Sequence, residues 1–148
     1  MTTVAFRGSM AFEGITDSGH HVWMDAASEV GGENRGVRPM ELVLVALGGC
    51  TGMDVVSILN KMRVPYTAFD MEISASRAPE HPKVYQEIRL VYRIEGDASA
   101  RDKVVRAVQL SQERYCSVSA MLANSAAINV EICLNGVTIG HLGHGQPA

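Results

Sequence analysis

Residues 40–63 read MELVLVALGGCTGMDVVSILNKMR, and this stretch decides the fold. It contains no proline, and its first half is apolar on nearly every side of a helix. Pro39, just before it, suits the first position of a helix. At about 1.5 Å per residue the helix would be about 36 Å long, more than one small sheet is expected to cover. We therefore expect a long helix that is buried on all sides, and dimerisation would supply the missing cover.

Strands are predicted on both sides of this helix. Apolar side chains alternate loosely over residues 4–25 around turn-forming glycines, which is typical of short antiparallel strands. Residues 30–38 have no apolar period and are rich in glycine, which indicates a surface loop able to carry binding groups. After the long helix, apolar and polar residues alternate over 69–76 and again over 84–94. These two segments predict a hairpin with one face towards water.

The last third of the chain predicts two further helices and a closing strand. Ser99 and Asp102 stand at the spacing of a capping box, ahead of an apolar stripe that ends at Tyr115. A shorter helix, capped by one of the serines that follow this stripe, would run to Ala127. The alternation over residues 128–134 predicts the closing strand.

Length and composition limit the classes of protein to consider. A chain of 148 residues has the usual size of one domain, so we expect a single domain over residues 1–148. The formal charge of -3, from 13 basic and 16 acidic side chains, leaves no basic face for nucleic acid or anionic lipid. Glycines and charges interrupt the longest apolar stretch, so we expect neither a membrane span nor a membrane partner. The absence of a signal-peptide pattern and the odd number of cysteines favour a cytoplasmic protein with reduced thiols.

Cys50 lies in the long helix among Gly48, Gly49 and Gly52. A glycine inside a helix costs roughly 1 kcal/mol relative to alanine, so three of them need a physical reason. Either another helix packs closely there and Cys50 is an inert core residue, or the missing side chains open a pocket beside a reactive sulfur. Asp54, one turn further on the same face, would oppose a thiolate at Cys50 if it were ionised. A reactive Cys50 would therefore need a cation nearby.

Four arginines are candidates for that cation, namely Arg7, Arg35, Arg38 and Arg114. For each of them the alternative is an ordinary solvated surface charge. Residue types and spacing alone do not choose among the four.

Cys116 closes the second predicted helix and could stand at the start of the third, where backbone N–H groups favour a thiolate. That setting suits a reactive or a resolving thiol, and the alternative is a small residue that only packs. Cys133 falls on the polar face of the closing strand, so we expect it to be a bystander.

Histidines and known motifs indicate no further site. His141 and His144 lie in a glycine-rich tail, and no set of cysteines, histidines or carboxylates has zinc spacing. The sequences GxGxxG, GxxxxGK[ST], GxSxG and CxxC do not occur. We therefore expect no metal and no bound cofactor. The sequence also lacks the motifs that would indicate a nucleotide-binding site, a serine nucleophile that forms an acyl-enzyme, or a thioredoxin-type redox site.

Two motifs together resemble a known family. Residues 36–56 read GVRPMELVLVALGGCTGMDVV, and far downstream residues 115–119 read YCSVS. This pair resembles the OsmC/Ohr family, the osmotically inducible and organic hydroperoxide resistance proteins. The order of predicted elements is similar too, and the likeness extends over nearly the whole chain.

The resemblance implies an α+β fold in which antiparallel sheets pack around two long central helices and two chains intertwine as a homodimer. It also implies a thiol peroxidase with its sites at the subunit interface. Cys50 would attack the O–O bond of an organic or fatty-acid hydroperoxide, and Cys116 would resolve the sulfenic acid as a disulfide. A dihydrolipoyl group on a carrier protein, or another thiol, would then reduce that disulfide.

The resemblance further implies that an N-terminal arginine steadies the thiolate with help from a glutamate. Arg7 precedes a glycine in the expected region, and the loop offers Arg35 and Arg38 as rivals. The glutamate usually follows the proline directly, but Met40 stands there and Glu41 comes one residue later. Glu41 is nine residues before Cys50, on about the opposite side of a helix. A first-turn acid favoured by the helix dipole explains Glu41 equally well.

Two hypotheses of different class follow. In the first, the chain is a homodimeric peroxidase without a cofactor, in which Cys50 attacks, Cys116 resolves and one arginine activates. In the second, it is a binding protein that holds a small hydrophobic ligand or thiol compound in the same cleft, with cysteines that sense redox state. Asp54 and the displaced glutamate favour the second hypothesis slightly.

Overall fold

The structure is a computed structural model that describes residues 1–146. These residues form two compact units, an N-terminal unit, Met1–Val45, and a C-terminal unit that begins at Ala46. The described residues contain two β-sheets and three α-helices, which confirms the predicted α+β class. The expectation of one domain over the whole chain stays a prediction.

The N-terminal unit contains the short antiparallel strands that the sequence predicts. Strands β1 (Thr3–Phe6), β2 (Phe12–Ile15) and β3 (His21–Met24) pair in chain order. A 3₁₀ turn at Ser28–Val30 follows, and the chain then runs as an irregular loop to Arg38. This confirms the predicted loop before the long helix.

A buried aspartate orders this loop from its inner side. The carboxylate of Asp25 accepts hydrogen bonds from the backbone N–H groups of Ala26, Glu33 and Arg35, at 2.8, 3.1 and 3.0 Å. The hydrogen bond from Arg35 is the main reason that the pKa of Asp25 lies below its ordinary value. The loop therefore has a defined backbone around an ionised carboxylate.

Helix α1, Pro39–Lys61, begins at the proline, as predicted. The single chain buries only one stripe of it, so burial on all sides, which we expect from dimerisation, stays a prediction. Val45 and Met53 are 62 % and 75 % exposed. The buried residues recur at every fourth position, because only one face of the helix meets the core, and they are Leu47, Thr51, Val55 and Leu59.

The same helix is long and apolar enough to cross a membrane by length and composition, with a mean hydropathy of 2.0. Its glycines and charges therefore do not exclude a span on composition alone, and the expectation of no membrane partner stays a prediction. A core helix of a soluble protein can have this length and composition too, so the finding is weak evidence for a membrane.

The C-terminal unit contains a four-stranded sheet. Strands β4 (Tyr66–Arg77) and β5 (Tyr85–Gly96) form the predicted hairpin, and β6 (Ala127–Leu134) lies beside β5. The β5–β6 pair is parallel, so the expectation of purely antiparallel sheets is wrong at this pair. The reason is the helical connection between them, which lets the chain cross over and re-enter in the same direction.

A seventh strand, β7 (Val137–His144), pairs antiparallel with β6 and ends the sheet. The sequence prediction made β6 the closing strand and left this segment as a tail. Glycines and histidines replace the apolar alternation in β7, so the period-2 signal is missing there.

The connection between β5 and β6 is helical but differs in detail from the prediction. Asp97 accepts a hydrogen bond from the Ser99 backbone N–H at 2.8 Å and begins the 3₁₀ turn Ala98–Ala100. Helix α2, Arg101–Leu110, continues from that turn and has no side-chain cap of its own. The capping box expected at Ser99 is therefore wrong, because the preceding aspartate supplies the acceptor.

Helix α3 is shorter than predicted, at Ser117–Leu122, and ends before the expected Ala127. The chain turns after Leu122 because Ala127 already belongs to β6. The core of the C-terminal unit combines apolar side chains of the helices and the sheet, which include Leu47, Val55, Ile88, Leu90, Val104, Val108, Ile128 and Ile132.

Gly48 lets α1 approach the sheet. A Cβ atom there would lie 2.7 Å from Cδ1 of Ile73 on β4, closer than real Cβ atoms lie to any neighbour. A Cβ at Gly52 would make an ordinary contact with Met71, and one at Gly49 would meet nothing within 4 Å. Gly48 thus packs closely against a strand rather than a helix, and a side chain there would displace only the flexible end of Ile73.

Candidate active site at the two thiols

Cys50 and Cys116 meet within the C-terminal unit. Their sulfurs and a carboxylate oxygen of Asp54 all lie within 4.8 Å of one another. Both cysteines are free thiols, Cys50 half-buried and Cys116 only 2 % exposed. The two cysteines that the sequence left as separate candidates are therefore neighbours.

A π-helical turn, Ser111–Tyr115, sets the position of Cys116. The Cys116 backbone N–H donates to the carbonyl oxygen of Ser111 at 2.8 Å, five residues back instead of four. This wider turn rotates the residues after α2, so Gln112 is buried and Tyr115 is 56 % exposed. The predicted apolar stripe is therefore wrong at Tyr115. Single π turns within helices are frequent at functional sites.

Cys116 lies at the start of α3, as predicted, and its sulfur accepts a hydrogen bond from the Ser119 backbone N–H at 3.4 Å. Cys116 is therefore the N-cap, and the expectation that Ser117 or Ser119 would cap this helix is wrong. Burial nevertheless raises the pKa of the Cys116 thiol to about 12, and Cys50 and Asp54 add to the rise. The Ser119 N–H at the helix start lowers the pKa, as expected, but burial outweighs it. Cys116 is a protonated thiol near neutral pH.

A buried chain of hydrogen bonds leads away from Asp54. Ser111 Oγ donates to Asp54 Oδ2 at 2.9 Å and lies 2.7 Å from Thr51 Oγ1. Thr51 Oγ1 lies 2.6 Å from the hydroxyl of Tyr92. Gln112 Nε2 donates to both of these hydroxyls, at 3.1 and 2.7 Å. Thr51, Ser111 and Tyr92 have no exposed surface and Gln112 is 6 % exposed, so these groups have one another as partners.

The number of protons fixes the direction of this chain. Ser111 has one hydroxyl proton and gives it to Asp54, so Thr51 must donate to Ser111. The Thr51 proton is then used, so Tyr92 must donate to Thr51. Burial raises the pKa of Tyr92 to about 12, which keeps that proton on the phenol. Every donor therefore points towards Asp54, whose Oδ2 is the last acceptor of the chain.

The other end of the chain is His144 on β7. Gln112 Oε1 accepts from Ser119 Oγ at 2.7 Å, and Ser119 Oγ lies 3.0 Å from His144 Nε2. The Ser119 proton is used, so His144 Nε2 must carry a proton and donate it. Burial lowers the pKa of His144, which favours the neutral ring. The sequence prediction gave His144 no partner, because it placed this residue in a tail.

Cys133 is buried rather than on a wet face. Its sulfur lies 3.7 Å from Glu131 Oε1 and 3.7 Å from Thr138 Oγ1. The predicted exposure is wrong because β7 pairs alongside β6 and brings Thr138 against the sulfur. Its expected part as a bystander stays a prediction.

The other predicted site residues lie in the N-terminal unit, each with local partners. Arg7 pairs with Glu13 at 2.7 Å, and Arg38 Nη2 donates to Asn34 Oδ1 at 2.8 Å. The carboxylate of Glu41 accepts from the backbone N–H of Arg38 at 2.9 Å, which is one half of a capping box. Glu41 therefore has a structural task at the start of α1. The roles of these residues at the thiols stay predictions.

The other two arginine candidates are Arg35 and Arg114. Arg35 Nε lies 3.0 Å from Glu33 and 3.7 Å from the buried carboxylate of Asp25. Arg114 is exposed on the π turn. Which arginine activates Cys50 stays open.

A groove of about 490 Å³ opens beside Asp54. Its walls come from the second half of α1 and from the end of the α2 segment. Most of the lining is apolar, with the cationic Lys61 at some distance from Asp54. The lining residues are Asp54, Ser57, Ile58, Lys61, Met62, Leu110 and Tyr115.

Within residues 1–146, the two thiols and Asp54 are the one group of three or more metal-binding side chains whose donor atoms meet. The carboxylate already accepts from Ser111, and the Cys116 sulfur accepts from Ser119.

Known proteins resemble this chain in sequence and in fold. Residues 32–131 match the family described as OsmC-like protein. Protein YhfA of Escherichia coli strain K12 is 38 % identical over 121 residues, which cover 82 % of this chain and 86 % of that protein. The crystal structure of a hypothetical protein from Aquifex aeolicus VF5 has a TM-score of 0.74 and 31 % identity, over 91 % of this chain and 96 % of that one.

A more distant crystal structure is that of an organic hydroperoxide resistance protein OsmC from Legionella pneumophila. Its TM-score is 0.67 over 89 % of this chain and 96 % of that one, at 16 % identity, so this likeness shows the fold alone. The family match and the YhfA likeness both span the long helix with Cys50 and confirm the resemblance that the sequence motifs indicated. The chain therefore belongs to the OsmC-like protein family.

Proposed function

We propose that this protein is a thiol peroxidase that reduces organic hydroperoxides, with Cys50 as the attacking and Cys116 as the resolving thiol. The observation that carries the proposal is the meeting of the two sulfurs within 4.8 Å, in a fold that an organic hydroperoxide resistance protein shares. Membership of the family supports a redox role in general. The chemistry of the two thiols supports this particular one.

The proposed cycle has two steps at the thiols and one at a reductant. The Cys50 thiolate attacks the O–O bond, takes one oxygen as a sulfenic acid and releases the alcohol once a proton reaches the alkoxide. The Cys116 sulfur then displaces that oxygen as water and forms the disulfide. A dithiol such as a dihydrolipoyl group, or another thiol, returns both cysteines to the reduced state. A reducing compartment such as the cytoplasm suits this last step.

The difference between the two thiols supports the order of their roles. Cys116 is buried and its pKa is raised to about 12, so it offers almost no thiolate to a peroxide. Cys50 is half-buried on α1 and more open to a substrate. We also propose that the protein is a homodimer and that an arginine activates Cys50. The apolar side chains of Val45 and Met53 on α1 are exposed in the single chain, and a second chain could cover them.

The direct test is thiol counting after one equivalent of cumene hydroperoxide is added to the reduced protein. We expect the free thiols to fall from three to the one on Cys133, with a Cys50–Cys116 disulfide in the peptide map. Persistence of all three free thiols would contradict the proposal.

The groove beside Asp54 also favours a second candidate, a binding protein for a small apolar ligand. In that case the cysteines would sense redox state without turnover. A ligand retained in native mass spectra, together with peroxide consumption at background, would favour this candidate over the peroxidase.

The groove predicts a preference among hydroperoxides. Lys61 is seven residues after Asp54, roughly 10 Å along α1, and the lining between them is mostly apolar. An acyl chain could lie there with its carboxylate at Lys61. We expect Lys61→Glu to raise KM for a fatty-acid hydroperoxide by about twofold to fivefold, the effect of an exposed charge pair, and to leave KM for cumene hydroperoxide unchanged.

Lys83, exposed in the turn between β4 and β5, provides the matched control. Lys83→Glu makes the same change of charge away from the groove lining and should leave both KM values unchanged. Equal changes in KM for the two substrates would contradict a carboxylate site at Lys61.

A further inference from the structure

Asp54 lies beside both thiols, and the cycle described above gives it no task. It stands one turn after Cys50 on α1, with a carboxylate oxygen within 4.8 Å of both sulfurs. Ser111, which is buried, donates a hydrogen bond to Asp54 Oδ2 at 2.9 Å. A carboxylate is therefore fixed at the point where the disulfide would form.

The resolving step needs two proton movements at this point. Cys116 must lose its S–H proton as its sulfur attacks, and the oxygen on Cys50 must gain a proton to leave as water. Burial, with help from Cys50 and Asp54, raises the pKa of Cys116 to about 12, so its free thiolate is scarce near neutral pH. Without a proton donor, the oxygen on Cys50 would have to leave as hydroxide, which is a poor leaving group. One group in reach of both atoms would remove both obstacles.

We propose that Asp54 is a catalytic residue of the resolving step and passes the proton of the Cys116 thiol to the oxygen that leaves Cys50. The Cys116 sulfur forms the S–S bond with its electron pair, and the S–O bond of the sulfenic acid breaks with its pair on oxygen. The carboxylate accepts the thiol proton and delivers a proton to that oxygen. Water leaves, and Asp54 ends the step as the carboxylate it was. The inference rests on the proposed peroxidase function.

The large difference in acidity between a carboxyl group and a buried thiol does not prevent this transfer. The proton is passed on to the departing oxygen as the S–O bond breaks, so Asp54 does not have to hold it. Within the C-terminal unit, the titratable groups that act on this region are Cys50, Cys116 and Tyr92, with Lys61 in the adjoining groove. His144, whose ring feels the charge of Glu113, lies at the far end of the hydrogen-bond chain. Tyr92 keeps its proton, because its pKa is raised to about 12.

The charge of Asp54 has the opposite effect on the first step. An anion close to Cys50 opposes the thiolate that attacks the peroxide. Removing the charge should therefore leave the attacking step unchanged or faster while it slows the resolving step. A residue that only supports the structure would not change the two steps in opposite directions.

The test compares the two steps in wild type and Asp54→Asn during a single turnover with cumene hydroperoxide. The asparagine oxygen can still accept from Ser111, so the variant removes the proton-transfer group with little change of shape. Peroxide consumption measures the attacking step, and rapid quenching with an alkylating agent measures disulfide formation. We expect disulfide formation to slow by about 10²-fold or more, the usual contribution of a positioned acid–base group, with sulfenic acid accumulating.

The pH dependence gives a second readout. Between about pH 6 and pH 9 the resolving rate of wild type should be nearly flat. In Asp54→Asn it should rise about tenfold per pH unit, because hydroxide must now remove the proton of a thiol that titrates well above this range. A structural role for Asp54 would not create this slope.

Two further variants complete the experiment. Glu113→Gln, at an exposed acid on the π turn, makes the same acid-to-amide change and should leave both steps unchanged. Asp54→Ala leaves space for added formate, which should restore disulfide formation and not affect the attacking step. An unchanged resolving rate in Asp54→Asn, or equal slowing of both steps, would overturn the inference. If wild type itself forms no disulfide, the proposed function fails instead, so the two failures are distinguishable.

Discussion

Replacement of Cys50 by serine is expected to abolish hydroperoxide turnover, with a loss on the order of 10⁴-fold or more, the scale seen when an enzyme loses its nucleophile. A hydroxyl group is far less acidic than a thiol and less polarisable, so it does not attack the O–O bond. Cys116 cannot take over, because burial keeps it protonated. Coupled consumption of cumene hydroperoxide with a dithiol measures the loss.

Cys133→Ala is the matched control for this variant. It removes the third thiol, which lies by Glu131 and Thr138, and leaves Cys50 and Cys116 unchanged. We expect its turnover to remain within about twofold of wild type, as for a substitution away from the reacting atoms. Appreciable turnover by Cys50→Ser would show that the attacking role is assigned to the wrong cysteine.

The sequence predicted most of the elements, because their signals are local. Pro39 begins α1, and the alternations on both sides of the turn mark β4 and β5. Whether two strands pair in parallel is not a local property of either strand. The alternation of apolar and polar residues therefore could not predict the parallel β5–β6 pair. β7 also lacked a signal, since its glycines and histidines replace the usual apolar residues.

The candidate site was predictable in part. Cys50 and Cys116 follow from the motifs, but their meeting depends on the π turn after α2, and no spacing rule shows such a turn in advance. Thr51 gave a signal that could have been used. It is a polar residue at the fourth position after Leu47, on the stripe that continues to Val55, and a polar group on a buried stripe needs a partner.

The buried network around that threonine also changes how Asp54 is understood. From the sequence, Asp54 only opposes a thiolate at Cys50. In the structure it is the acceptor at the end of a chain of donors that runs from His144 through Gln112 to Ser111. The hydrogen bond from Ser111 at the end of this chain fixes the position of the Asp54 carboxyl group beside the two thiols.

Thr51→Val is expected to lower the free energy of unfolding by about 1–3 kcal/mol, the cost of leaving a buried polar group without its partner. Valine has nearly the shape of threonine, so packing against Leu47 and Val55 is kept. The Tyr92 hydroxyl loses its acceptor, and Ser111 loses the donor at 2.7 Å. At roughly 2–4 °C per kcal/mol for a domain of this size, thermal unfolding should begin several degrees lower.

Thr67→Val makes the same substitution at an exposed threonine, whose hydroxyl donates to the Glu95 carbonyl at 3.4 Å. Because water can replace that partner, we expect the free energy of unfolding to change by no more than about 0.5 kcal/mol. Denaturant unfolding of both variants measures the difference. If both variants lowered the free energy of unfolding equally, the donors around Asp54 would have found other partners. The hydrogen-bond chain would then not be what holds the Asp54 carboxyl group in place.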